Sequence, residues 1–190
     1  TTSCTGHIRT AYINQFNGEN VMGTDNQQER LDAQWIVGFV DGEGCFHVAL
    51  NKLPKMTLGW QVLPEFRVVQ HQRDEQVLYR IKNYFGFGEV TVNHGDRKEF
   101  RVRGLNNLNR LIAFFKYYPL QTSKQRNFEI FSEIIEQMNQ GEHLNKEGLN
   151  RIAILASKMN RQVISAYLES SETLRQTPFK VKIKSDPLGD

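Results

Sequence analysis

Two carboxylates separated by one glycine follow an apolar stretch of the chain, in the segment Asp41-Gly42-Glu43-Gly44. The preceding residues, 31–40, have the composition of an apolar helix. The end of a helix carries unpaired carbonyl groups and the negative pole of its dipole, so acids there are unfavourable unless a positive partner is present. A hard divalent metal held by carboxylate and backbone carbonyl oxygens is the simplest such partner. This segment therefore predicts a divalent metal at the acidic end of the helix.

The surrounding pattern predicts an α+β fold with two hairpins. A helix capped by Asp25 or Asn26 should run to about Asp41. Alternating apolar and polar residues then predict four strands, and a helix ended by Gly86 separates the two pairs. The predicted strands are 45–51, 61–71, 89–93 and 99–103, and the later helices are 105–117, 122–139 and one or two within 146–170. Residues 1–25 are interpreted as an N-terminal extension, 26–170 as one domain and 171–190 as a tail.

The alternation in the strands assigns their two faces. Phe66, Val68, Val90, Val92, Phe100 and Val102 should face the core. The opposite side of the antiparallel sheet then carries Glu65, Arg67, Val69, Glu89, Thr91, Asn93, Glu99, Arg101 and Arg103. Arginine suits guanine, asparagine adenine and glutamate cytosine in the DNA major groove, so this face could read base edges. An ordinary solvated sheet face is the alternative that the strands alone leave open.

Composition limits the function classes without choosing one. The chain has 190 residues and 39% hydrophobic residues, which suffices for a folded core. No apolar run is long enough to span a bilayer, and no signal peptide is expected. Cys4 and Cys45 form neither a disulfide framework nor a zinc site, and Cys45 is expected to be buried. The first 50 residues hold two basic and six acidic residues, net −4, and the rest hold 22 basic and 15 acidic, net +7. This division suits a polyanion partner.

Four segments together resemble the LAGLIDADG homing endonuclease family. Trp35-Ile-Val-Gly-Phe-Val-Asp-Gly-Glu-Gly44 is similar to the signature helix, and Phe66-Arg-Val-Val-Gln-His71 to the second strand. Leu78-Tyr-Arg-Ile-Lys-Asn-Tyr-Phe-Gly-Phe-Gly88 resembles the second helix and its turn, and Pro119-Leu-Gln-Thr-Ser-Lys-Gln125 the segment with the family lysine. The resemblance covers residues 28–140. It implies an αββαββα fold with a saddle-shaped antiparallel sheet in the major groove, followed here by extra C-terminal helices.

The resemblance also implies an activity and the residues that perform it. It implies Mg²⁺-assisted cleavage of both DNA strands that leaves short cohesive ends; Mn²⁺ should substitute, and Ca²⁺ should support binding with little cleavage. Glu43 falls on the metal-binding acid, with the Gly42 carbonyl as a further metal ligand. Gln70 and Lys124 fall on residues that support the water network at the scissile phosphates, and Asp41 on a more structural acid. Asp74 stands where one subgroup has an arginine, which leaves open whether Arg73 takes that place. The residues assigned to DNA contact are His47, Asn51, Glu65, Arg67, Arg73, Thr91, Asn93, Lys98, Glu99, Arg101 and Arg103.

The acidic motif occurs once, although two DNA strands must be cut. A homodimer would supply the second acid and would match a long pseudo-palindromic target. Gly38 and Gly42 lie four residues apart and permit close approach of two helices. The interface is therefore predicted to contain Trp35, Gly38, Phe39 and Gly42.

Two other functions remain compatible with these residues. One is a binding protein of the same fold, either an intron-RNA maturase, for which intron RNA would be a partner, or a DNA-binding protein with an inactive site. The other is an unrelated metal-dependent phosphodiesterase. The acids favour the endonuclease, because a binding protein does not need them. The expected location is intracellular, in a chloroplast, a mitochondrion or a bacterial cytoplasm, and the sequence does not decide among these.

Overall fold

The secondary structure of the protein follows the order αββαββα and continues with three helices. The structure is a computed structural model and describes residues 31–159 and 165–170. Its elements are α1 (Ala33–Glu43), β1 (Gly44–Lys52), β2 (Trp60–His71), α2 (Glu75–Phe85), β3 (Glu89–Val92), β4 (Arg97–Val102), α3 (Leu105–Tyr117), α4 (Lys124–Asn139), α5 (Lys146–Ser157) and α6 (Ala166–Ser170). The predicted α+β architecture with additional C-terminal helices is confirmed. The predicted extension, residues 1–25, the tail, residues 171–190, and Cys4 lie outside the described residues, and the predicted domain division stays a prediction.

The four strands form one antiparallel sheet in the order β1-β2-β4-β3. Cys45 lies opposite Arg67, Arg67 opposite Arg101, and Arg101 opposite Glu89, so one row of side chains crosses all four strands. Residues 53–59 connect β1 to β2, and residues 93–96 connect β3 to β4. Pro54 and Gly95 therefore lie in the connections between paired strands, as a two-hairpin sheet requires.

Helix α1 begins later and ends later than its sequence suggested. Its cap is Asp32, whose Oδ1 accepts a hydrogen bond of 2.6 Å from the Trp35 amide, rather than Asp25 or Asn26. Asp25, Asn26 and Asp32 are all residue types that cap helices well, so the sequence did not distinguish them. Leu31, just before the cap, is buried in the core. At its other end the helix continues through Glu43, two residues beyond the predicted end.

The helices cover one side of the sheet with an aromatic core. The ring of Phe46 from β1 lies 5.1 Å from that of Phe66, and 5.7, 5.5 and 5.4 Å from those of Phe115, Phe128 and Phe131. These contacts join two strands to α3 and α4. Val92 was also predicted to face this core, and that prediction is wrong because Val92 is 65% exposed. Val92 is the last residue of the short edge strand β3, beyond the area that the helices cover.

Gly148 of α5 provides a direct test of how the C-terminal helices pack. A Cβ atom at this position would lie 2.1 Å from the Glu142 carbonyl oxygen, which belongs to backbone and cannot move aside easily. We expect Gly148→Ala to lower the free energy of unfolding by about 1–3 kcal/mol, the range for overpacking a core. Urea unfolding measures this change. Lys146→Ala, at an exposed position of the same helix, should stay within about 0.5 kcal/mol of the wild type. Equal stability of the two variants would contradict the packing.

Candidate functional site

The C-terminal end of α1 passes directly into strand β1 at Gly44. Glu43 is the last helical residue and is exposed, whereas Gly44 is buried. A Cβ atom at Gly44 would lie 2.6 Å from Val40 Cγ1 and 2.8 Å from the Val40 carbonyl oxygen, so no larger residue fits without a shift. The close approach fixes the position of Glu43 relative to the sheet.

Asp41 is bound to the segment that precedes α4. Its carboxylate accepts hydrogen bonds from the Gln121 amide at 2.7 Å, the Thr122 amide at 3.2 Å and the Thr122 hydroxyl at 2.7 Å. Three donors satisfy most of the acceptor capacity of one carboxylate. Asp41 therefore connects two parts of the chain that are 80 residues apart in sequence. Gln121 and Thr122 were not predicted as partners of Asp41, although both lie in the family-like segment with Lys124.

Lys124 supplies a positive charge at the same helix end. Its Nζ donates to the Val40 carbonyl at 2.9 Å and to the Gly42 carbonyl at 3.3 Å. Burial lowers the pKa of this ammonium, and its electrostatic interactions with Cys45, Asp41 and Glu43 act in the opposite direction. A metal was expected as the simplest positive partner of this helix end, and Lys124 already fills part of that role.

Glu43 is the acid that remains available at this site. In residues 31–159 and 165–170 its side chain makes no hydrogen bond or ion pair, and Lys124 is a charged group that interacts with it electrostatically. Within the same residues no three His, Cys, Asp or Glu side chains are grouped closely enough to hold a metal. Mg²⁺ commonly uses one or two carboxylates together with water and phosphate oxygens. The Glu43 carboxylate and the neighbouring Gly42 carbonyl are oxygen groups of the kind that such an ion binds, and their predicted role as metal ligands stays a prediction.

We expect Asp41→Asn to affect stability more than chemistry. The amide would place donors against the Gln121 and Thr122 amides, and donors left unpaired at this half-buried position cost about 1 kcal/mol, at the lower end of the usual range. Thermal unfolding should detect this loss, while cutting per folded molecule should remain within about tenfold of the wild type. Glu142→Gln, which weakens a partly exposed ion pair with Arg151, is the control and should change neither quantity appreciably. A large loss of cutting without a loss of stability would instead make Asp41 catalytic.

Gln70 lies near the end of β2, two residues beyond the pair formed by Gly44 and Val68. The register therefore places Gln70 near the end of the sheet at which α1 passes into β1. Its Cα partner on β4 is Lys98. In the described part of the chain no hydrogen bond joins Gln70 to Glu43 or Lys124. Its predicted role in supporting the water network stays a prediction.

The uncovered side of the sheet carries the odd-numbered strand residues, here called the open face. Its members on the strands are Cys45, His47, Ala49, Asn51, Gln61, Leu63, Glu65, Arg67, Val69, His71, Glu89, Thr91, Arg97, Glu99 and Arg101, and Asn93 and Arg103 follow at strand ends. The side chains of Arg67, Arg101 and Arg103 are 34%, 27% and 44% exposed. Arginines therefore form the accessible layer of the open face, directly beside the end of α1.

Three predicted DNA contacts need correction. Glu65 and Glu99 lie on the open face but are only 5% and 4% exposed, because neighbouring arginines cover their carboxylates. Neither is accessible to a base edge as an isolated acceptor. Lys98 lies on the other side of the sheet with Phe100, and its Nζ is 2.9 Å from the Glu75 carboxylate of α2. This salt bridge raises the pKa of Lys98 and directs its charge away from the open face.

The other predicted contacts occupy varied environments on or beside the open face. His47 is half-buried, and burial together with the Arg67 charge lowers its pKa, while Glu65 acts in the opposite direction. Asn51 and Arg73 are exposed, whereas the Thr91 hydroxyl oxygen is buried without a hydrogen-bonding partner in the described residues. Cys45, predicted to be buried, is instead a half-buried thiol on the open face. The alternation of side chains along β1 was sufficient to predict that Cys45 lies on this face.

The predicted interface residues form one stripe along α1. The rings of Trp35 and Phe39 stack with centroids 4.8 Å apart, and Trp35 is 40% exposed. Gly38 and Gly42 are exposed, and a Cβ atom at either would meet no atom within 4 Å. Aromatic side chains therefore flank a shallow backbone surface that a second helix could approach closely. Homodimerisation itself stays a prediction.

No helix in the part of the chain that the structure describes is long and apolar enough to cross a bilayer. The location predicted from the sequence stays a prediction.

Comparison with known proteins identifies one family. The family model of LAGLIDADG endonucleases matches residues 36–135. A probable intron-encoded endonuclease 2 from Neurospora crassa is 32% identical over 164 residues, which are 84% of this chain and 36% of the relative. The chain thus spans about a third of the length of that relative.

Two solved structures are similar in both sequence and shape. The homing endonuclease I-TnaI is 50% identical, with a TM-score of 0.68 over 69% of this chain and 89% of that one. I-SmaMI, bound to an uncleaved DNA target in the presence of calcium ions, is 29% identical, with a TM-score of 0.73 over 76% of this chain and 50% of that one.

Proposed function

This chain belongs to the LAGLIDADG endonuclease family, and we propose on that basis that it is a site-specific endonuclease that cuts both strands of DNA. The observation that carries the proposal is the position of the available Glu43 beside the arginine-rich open face. A duplex lying on that face would place its bases over the arginines and its backbone near the end of α1. Acid and recognition surface would then act on one bound DNA molecule.

The residues of the helix end fit a divalent metal site that DNA would complete. The Glu43 carboxylate and the Gly42 carbonyl would hold Mg²⁺ or Mn²⁺, and Ca²⁺ would support binding with little cleavage. When bound, such an ion stabilises charge on the attacking and leaving oxygens of the phosphodiester. Lys124 would hold the helix-end carbonyls in place and contribute positive charge toward the phosphate. Gln70 would orient water beside them.

A homodimer would place two such helix ends together. Each protomer supplies one available acid, whereas two strands must be cut to leave short cohesive ends. The Trp35, Gly38, Phe39 and Gly42 stripe would form the contact, with two-fold symmetry that matches a long pseudo-palindromic target. The two Glu43 side chains would then lie near the symmetry axis and face opposite strands.

Selection from a randomised duplex library tests the proposed function. The protein is incubated with the library in Mg²⁺, and cut molecules are sequenced. We expect double-strand breaks within one long, approximately palindromic sequence, and retention without cutting in Ca²⁺. Retention without cutting in Mg²⁺ and Mn²⁺ would instead identify a binding protein of this fold, and an RNA-only interaction would identify a maturase.

A further inference from the structure

Glu65 joins two arginines on the open face. Its Oε2 accepts from Arg103 Nε at 2.8 Å and from Arg103 Nη2 at 2.6 Å, while its Oε1 lies 3.4 Å from Arg67 Nη1. The Glu65 side chain is 7% exposed, compared with 44% for Arg103 and 34% for Arg67. One buried carboxylate therefore lies beneath two accessible guanidinium groups and uses one oxygen for each.

Glu99 forms a second arrangement of the same kind. Its Oε1 lies 3.1 Å from Arg101 Nη1, and its Oε2 accepts from the Asn93 side-chain amide at 2.8 Å. Its side chain is 5% exposed, and that of Arg101 is 27% exposed. Here too a buried acid connects two side chains of the types that read guanine and adenine.

These contacts restrict the arginines before any DNA is present. A free arginine samples many rotamers and loses that freedom when it binds, whereas a guanidinium already held by a carboxylate loses less. Arg103 uses its Nε and Nη2 edge for Glu65 and leaves Nη1 donors available. Each carboxylate also offsets positive charge, which weakens attraction to phosphates of any sequence.

We propose that Glu65 and Glu99 are positioning residues for sequence discrimination, which act through Arg67, Arg103, Arg101 and Asn93 rather than on bases. The inference rests on the proposed function, because it assumes that the open face contacts DNA. Direct contact of these glutamates with cytosine would be a different role, and their burial disfavours it.

Glu65→Gln and Glu99→Gln test the proposal in the full chain. Binding to a randomised duplex library in Ca²⁺ should show discrimination reduced by about fivefold or more at the positions that the linked side chains read, in both half-sites. The two variants should affect different positions. Affinity for non-specific DNA should stay equal or rise, because a negative charge is removed. Glu75→Gln, which breaks the Lys98 salt bridge on the other side of the sheet, is the matched control and should leave the base profile unchanged.

Arginine side-chain NMR of the DNA-free protein provides a second readout. The Nε–Hε groups of Arg67 and Arg103 should be ordered in the wild type and in Glu75→Gln, and more mobile in Glu65→Gln. Unchanged order in Glu65→Gln would overturn the proposal, as would altered order with an unchanged base profile. A uniform loss of affinity for all sequences would also overturn it, since that is the result of a purely structural role.

If the wild type itself shows no sequence preference, the proposed function fails, whereas the NMR result still decides whether the glutamates order the arginines. If one variant does not fold, the other decides, because the two arrangements share no residue.

Discussion

Glu43→Gln should abolish DNA cutting while leaving the fold and DNA binding largely intact. The side chain is exposed, makes no hydrogen bond within the described residues and differs from glutamine by little more than its charge. It is also the acid that would hold a metal at the end of α1. We expect cutting to fall by about 10³-fold or more, equivalent to about 4 kcal/mol of transition-state stabilisation.

Parallel measurements of single-turnover cutting in Mg²⁺ and of DNA affinity in Ca²⁺ separate chemistry from binding. Glu133→Gln, an identical change at an exposed position of α4, is the control and should cut normally. Because the Glu43 charge raises the pKa of Lys124 in the wild type, the variant should also lower the pKa of Lys124, which NMR titration can follow. Near wild-type cutting by Glu43→Gln would refute the assignment of this acid.

Gly38→Leu should weaken self-association without unfolding the protomer. A Cβ atom at Gly38 meets nothing within 4 Å, so a larger side chain has room in the isolated molecule. In the proposed dimer the partner helix would occupy the same space, and overpacking a close interface costs about 1–3 kcal/mol. The dissociation constant of the dimer should therefore rise by roughly tenfold to 100-fold, and cutting should fall with it at low protein concentration.

Sedimentation and cutting assays over a concentration series test this expectation. Gln76→Leu introduces the same side chain at an exposed position of α2 and should leave association unchanged. Recovery of cutting at high concentration of Gly38→Leu would support a dimerisation defect. An active monomeric wild type, or an unaffected dimer in Gly38→Leu, would show that the α1 stripe is not the interface.

The helices and strands of this fold could be predicted because hydrophobic periodicity, capping residues and turn residues are properties of short segments of sequence. α3 was predicted at its observed bounds, and Gly86 ends α2 with a φ of 70°, as a helix-ending glycine should. The start of α1 was misplaced because three residues that cap helices well lie within eight positions, and the observed cap is Asp32. Propensity ranks such candidates but does not choose among them.

The interactions that connect different elements were harder to predict. Alternation placed Glu65 and Arg103 on the same face, yet their ion pair depends on how β2 and β4 are aligned, and their separation of 38 residues gives no local signal. The donors for Asp41 likewise come from a segment 80 residues away. By contrast, Lys98 and Phe100 are two residues apart in one strand, so their side chains lie on the same side of the sheet. The sequence alone therefore argued that Lys98 lies on the side away from the open face.

The contacts of Asp41 and Lys124 with distant segments have a consequence for how the protein folds. Loop closure over some 80 residues is entropically unfavourable and tends to occur late, after local hairpins and helices have formed. The end of α1 therefore acquires its lysine only when α4 has docked. A nascent or partly folded chain has Glu43 but lacks the neighbouring ammonium and the anchored loop. The site proposed to act on DNA is therefore expected to be complete only in the fully folded chain.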